Sequence, residues 1–158
     1  MRWIHLSFVL CIGSLAWAQD QVRTATVCEV LASQKTFEGQ PVAIVGRYSL
    51  RETGRLLGED DCSYAGPATA TAVKPAVVTL RLDRSGAPHL AAAFAVEAPK
   101  LDEKVRLVHA HSRLENFPFG TPDYDRWAVV YGKFEIQAIQ PARAVLHYAG
   151  DSYVVFLK

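Results

Sequence analysis

Two imidazoles stand two residues apart in His109-Ala110-His111. Alternate residues of a strand share a face, so both rings could reach one metal ion. Asp102, Glu103, Glu115 or His147 would then supply a third ligand. Zinc sites need three or four protein ligands at defined geometry. The other reading of the pair is two polar residues at a barrel end, hydrogen-bonded or solvated. His147, Asp151 and Ser152 hold the residue types of an acid–base or nucleophilic site. A triad needs the base to reach both partners, and the sequence holds no G-x-S-x-G nucleophile pattern. His147 alternatively pins a turn through hydrogen bonds. Glu59-Asp60-Asp61 lacks the alternating acidic pattern of a calcium loop and reads as a solvated hairpin end.

Aromatic rings beside arginine can stack sugars or bases. Phe117, Phe119, Tyr124 and Trp127 lie near Arg113 and Arg126, with Glu115, Asp123 and Asp125 balancing the charge. Phe117, Phe119, Tyr124, Arg126 and Trp127 are therefore the candidate contact surface. No catalytic residue, metal ligand or cofactor is assigned.

These residues need elements to position them. Val27, Val30 and Leu31 have i, i+3, i+4 spacing, so a short helix is expected over 27–32, capped by Thr26 or Thr24. Val42, Ile44 and Val45 lead a strand to Tyr48. Gly46 inside it suggests a bulge or a sharp coil. Residues 49–55 read as a polar hairpin connection, and 63–75 as a surface loop. Val78, Leu80 and Leu82 alternate along a half-buried strand at 76–83. An Ala-rich helix is expected over 85–98, with Pro88 near its start and Pro99 stopping it. Residues 99–104 then form a charged connection and 105–111 a strand. Residues 112–125 read as a loop. Strand 126–137 is apolar on both faces, which is the mark of a strand covered on both; Gly132 suggests a bulge or a bend. Short strands at 145–148 and 152–157 close the chain. The expectation is mainly β with minor α. The architecture is a small antiparallel OB-like barrel, closed or partly open, with a short N-terminal helix and one Ala-rich helix.

Arg2, an apolar run over 3–15 and Ala16-Trp17-Ala18 match a secretory signal peptide at 1–18, leaving one domain over 19–158. The run is too short to span a membrane, which takes about 20 residues. Cys11 follows Leu10, where a lipoprotein signal has a small residue, so no lipid anchor is expected. Without Arg2, the 17 Lys and Arg fall to 16, against 16 Asp and Glu. A formally neutral body counts against a phosphate-backbone partner. Of the three cysteines, only Cys28 and Cys62 lie outside the leader. They are expected to pair, tying the first helix to the end of the second strand in an oxidising compartment. Two separate buried thiols are the other reading.

Cys28-Glu29-Val30-Leu31, Phe37-x-Gly39-Gln40-x-Val42, Val45-Gly46 and Asp61-Cys62 resemble a group of small exported bacterial proteins of unknown function. That group is similar to OB-fold barrels. Val129 to Glu135 and His147 to Gly150 are similar to its later strand and turn. The usual glycine before the late histidine is replaced by Val145-Leu146. The resemblance implies the barrel, export and a cysteine pair, and carries no activity with it. The expected function is a non-catalytic binding or structural module of the cell envelope, periplasmic or secreted, with a protein or glycan partner. The alternatives are a metal-dependent or hydrolytic enzyme using His109, His111 or His147, and single-stranded nucleic-acid binding.

Overall fold

The computed structural model describes residues 22–51, 54–65, 78–84, 98–112, 125–137 and 144–157. The expected leader, the 85–97 part of the Ala-rich helix and Phe117, Phe119 and Tyr124 lie outside the described residues.

The chain enters along β1 (Arg23–Thr26) and turns into α1 (Val27–Ala32) and α2 (Gln34–Phe37). Then come β2 (Pro41–Arg51), β3 (Gly54–Glu59), a 3₁₀ turn at Ser63–Ala65 and β4 (Val78–Asp83). α3 (Ala98–His111) leads to β5 (Asp125–Ile136), β6 (Ala144–His147) and β7 (Val154–Phe156). Neighbouring strands run β2-β3-β4-β6-β5, and β5 pairs back onto β2 to close a five-stranded barrel. Only β4 and β6 run parallel within it. Closure removes the open edges of a sheet, as in OB-like barrels. β1 adds in parallel beside β2, and β7 adds antiparallel beside β5.

Alternation along the strands fills the barrel. Val42, Ile44, Tyr48, Leu57, Leu80, Leu82, Ala128, Val130, Phe134 and Leu146 point inward and form one buried cluster. Val27 and Val30 of α1 join it. Thr26 starts this helix: its hydroxyl accepts from Glu29 N at 3.2 Å, and Glu29 Oε2 accepts from Thr26 N at 3.0 Å. This reciprocal cap is worth about 1 kcal/mol. Cys28 is bonded to Cys62 with the Cα atoms 5.2 Å apart, so the helix is stapled just beyond the end of β3.

β5 is apolar on both faces because it is covered on both. Its outer face, with Val129, Trp127 and Tyr131, packs with Ala43, Val45 and Val22 against Leu101, Val105 and Val108 of α3. The strand expected at 105–111 is therefore a correction: these residues belong to a helix that begins at Ala98. Leu101, Val105 and Val108 follow helical spacing, and their apolar stripe outweighs the alternation of 105, 107, 109 and 111. Pro99 lies in the first turn, where a missing N–H costs nothing, and does not end a helix there.

Two further expectations change. The expected hairpin over 49–55 is mostly strand, because β2 continues to Arg51 and β3 starts at Gly54. Neither Gly46 nor Gly132 marks a bulge: the β2–β5 register runs unbroken from Pro41↔Lys133 to Ser49↔Asp125. Both glycines answer to close approach. A Cβ on Gly46 would lie 2.7 Å from Val27 Cγ2 and 2.9 Å from Leu57 Cγ.

Candidate functional site

The inward face of β2 carries Tyr48 and then Leu50 at its far end. The register sets Leu50 opposite Arg55 and Tyr48 opposite Arg126. Directly opposed residues lie on one face of a sheet, so Arg55 and Arg126 sit over the barrel interior at its mouth. Phe156, opposite Ala128, joins them from β7. Arg55 Nε donates to the Tyr48 hydroxyl at 2.9 Å. The Tyr48 and Phe156 rings meet edge to face, with centroids 5.6 Å apart. The Arg126 guanidinium lies 5.6 Å from the Phe156 centroid, within cation–π range.

A second arginine–tyrosine pair completes the rim. Tyr148 is fully buried in the barrel core, and its hydroxyl accepts from Arg84 Nε at 3.3 Å. Arg84 also bonds Asp151. Asp151 adds a little to the rise of the Tyr48 phenol and Arg55 a little to the fall of Asp151, so the two pairs are electrostatic neighbours. Phe156 remains 43% exposed and Leu50 47% exposed. The described side chains of the mouth thus bring together three guanidinium groups, one carboxylate, two phenols and an accessible aromatic ring. Burial pushes the Tyr48 phenol up, and the Arg84 hydrogen bond holds Asp151 down. Both are displaced away from neutrality, where a general acid or base works best. The arrangement suits recognition of a negatively charged group more than proton transfer.

At the other end of the barrel lies a buried polar chain. Glu59, only 2% exposed, accepts from Cys28 N at 3.0 Å and from the Tyr64 hydroxyl. Tyr64 Oη lies 2.7 Å from Thr26 Oγ1, and Glu29 continues the chain to Lys104 Nζ at 2.6 Å. Tyr64 packs against the His111 ring, 4.9 Å between centroids. The acidic run at 59–61 is thus no solvated hairpin end. Glu59 and Asp60 are buried, and Asp61 Oδ1 accepts from Ser63 N.

Burial raises the Glu59 carboxyl above its ordinary 4.5, against the opposing hydrogen bonds of Tyr64, Cys28 N and Thr26. A carboxyl raised on folding favours the folded state most below its unfolded value, and that contribution is lost as pH rises through the folded value. Glu59→Gln keeps an acceptor for Cys28 N and removes the titration. Urea midpoints measured between pH 4.5 and 7 are expected to fall with pH more steeply for the parent than for Glu59→Gln. Parallel curves would show that Glu59 does not titrate in this window.

The sequence-derived candidates separate. His109 and His111 lie on α3, where residues two apart point about 200° apart, so the shared face that a common metal ion required is absent. His109 packs on Trp127 at 5.3 Å between centroids, and His111 Nδ1 bonds Leu107 O at 2.9 Å. His147 Nε2 lies 2.7 Å from Glu135 Oε2, while Asp151 is taken by Arg84. Among the described residues no group of three or more His, Cys, Asp or Glu is placed to hold a metal ion. Of the candidate contact surface, Arg126 reaches the mouth, whereas Trp127 packs under α3.

No family model, curated protein or solved structure matches the chain. Among the described residues no helix is long and apolar enough to cross a membrane.

Tyr48, Arg55, Arg84, Tyr148 and Phe156 were not singled out by sequence. One signal pointed there. The inward alternation of Val42, Ile44 and Tyr48 extends to Leu50, so its cross-strand partner must stand over the barrel opening.

Proposed function

We propose that this chain is an exported, non-catalytic binding module of the cell envelope that holds an acidic glycan at the barrel mouth. One observation carries the reading: Arg126 over the accessible Phe156 ring lies with the Arg55–Tyr48 and Arg84–Tyr148 pairs at one end of the barrel. Arginine forks match carboxylate oxygens in pairs, and the apolar face of a sugar ring packs on an aromatic ring. The leader at 1–18 and the Cys28–Cys62 bond support export. The balanced charge of the body separates this reading from nucleic-acid binding, which draws on many phosphates at once.

Calorimetric titration with tetragalacturonate tests it, with neutral galactotetraose and an oligothymidylate of equal length as controls. Tetragalacturonate is expected to bind, and the neutral sugar is not. Arg126→Ala with Phe156→Ala is expected to weaken binding by about tenfold or more, a loss of about 1.4 kcal/mol. Tighter binding of the oligothymidylate, with a steep salt dependence, would move the function to nucleic acid. No binding of the uronate would remove the glycan reading.

A further inference from the structure

We propose that the Cys28–Cys62 bond is a thiol-exchange site, at which a dithiol attacks Cys62 and Glu59 gives a proton to the departing Cys28 sulfur. The two cysteines have unlike surroundings. Cys28 is fully buried, on the helix whose Val27 and Val30 enter the barrel core. Cys62 is only partly buried, between β3 and the 3₁₀ turn at Ser63–Ala65. A nucleophile from solvent therefore meets Cys62, and Cys28 is the leaving group. Exchange depends on access to the attacked sulfur and on how readily the other sulfur leaves. A thiolate in buried, apolar surroundings is costly. Cys28 leaves readily only if a proton reaches it.

Glu59 is the acid placed to supply it. Its carboxyl is held against Cys28, with Oε2 accepting from the Cys28 amide at 3.0 Å. Several groups face it. The Tyr64 hydroxyl bonds its other oxygen, and Tyr64 in turn packs on His111 of α3. Glu29 of α1 adds negative charge and is itself bound to Lys104 of α3. Asp60, the next residue, is also buried. Burial and the Glu29 charge both favour the protonated carboxyl, which is the form a donor needs.

In the step, a thiolate of the dithiol bonds to Cys62 Sγ as the Cys28–Cys62 bond breaks. The electron pair goes to Cys28 Sγ, which takes the Glu59 proton. The second thiolate of the dithiol then attacks the dithiol's own sulfur in the mixed disulfide and frees Cys62. Cys62 and Glu59 each take a proton from water, replacing the two that the dithiol released. The dithiol is oxidised to a cyclic disulfide, and the protein bond is reduced to two thiols.

Reduction of the mature chain by dithiothreitol, followed from about pH 5 to about pH 8, tests the inference. Each rate is divided by the thiolate fraction of the reagent. The corrected rate of the parent is expected to fall as pH rises through the folded Glu59 value, because the donor loses its proton. At the acid end Glu59→Gln is expected to be slower by about 100-fold, the lower end of what a positioned acid contributes. The two proteins are expected to converge at the alkaline end. The parent's own profile uses the unaltered protein, so a folding defect in the variant cannot account for it. Acid-quenched reaction with 2-mercaptoethanol is expected to leave the adduct on Cys62, read by peptide mass. A corrected parent rate that does not fall with pH, equal rates at the acid end, or an adduct on Cys28 would overturn the inference. So would a rate that levels off with dithiothreitol at the rate of global unfolding.

Discussion

The double variant Cys28→Ala with Cys62→Ala is expected to lose roughly 3–4 kcal/mol of stability, the chain-entropy value for a loop of this length. The bond spans 34 residues, from α1 to the segment just after β3. It joins two parts that also meet through the barrel core and a buried polar chain. Val27 and Val30 of α1 enter the barrel core, and the Cys28 amide reaches Glu59. Tyr64, two residues after Cys62, closes over the Glu59 carboxylate. Without the bond, the unfolded chain gains freedom and the folded chain keeps the same contacts, so the loss falls on the equilibrium and not on the fold. Urea unfolding of the two proteins under non-reducing conditions measures the difference. A loss below about 1 kcal/mol would show that the unfolded chain is already held compact.

Gly132→Ala is expected to cost about 3 kcal/mol, at the upper end of overpacking losses. Gly132 stands opposite Val42 on β5, and the strand continues into its pairing with β6. An added Cβ would press on the His147 carbonyl oxygen and lie 2.9 Å from Leu146 Cγ. A side chain can rotate away. A backbone carbonyl of the neighbouring strand cannot do so without opening the ladder from Lys133↔His147 to Ile136↔Ala144. Gly46→Ala meets mainly side chains, Val27 and Leu57, with the Gly58 carbonyl farther off at 3.1 Å. Its loss is expected to be smaller. Urea midpoints that rank the two the other way would mean that β6 can yield.

Much of the barrel was legible because its signals are local. The alternation at 78, 80 and 82, the two apolar faces of 126–137 and the spacing of Val27, Val30 and Leu31 each name an element without reference to the rest. The failures share a cause. Residues 105–111 satisfy a strand period and a helical one, and only the sheet surface of Ala43, Val45 and Val129 decides between them. Gly46 and Gly132 announced a backbone need, but whether that need is a bulge or a close neighbour depends on strands far off in sequence. The candidate site was the least legible part. Arg55 and Arg84 have ordinary loop-side contexts, and their partners Tyr48 and Tyr148 lie 7 and 64 residues away. Barrel closure alone makes the two pairs neighbours. Glu59 was misread for the same reason, since its burial comes from Tyr64 and from α1.

The barrel mouth as the ligand site is tested most directly by amide chemical-shift mapping of the ¹⁵N-labelled mature chain during titration with tetragalacturonate. The expected shifts fall at Tyr48, Leu50, Arg55, Arg84, Arg126, Tyr148, Asp151 and Phe156, and leave Glu59, Tyr64 and α3 in place. Shifts confined to β1 and α3, or none at saturating uronate, would contradict it.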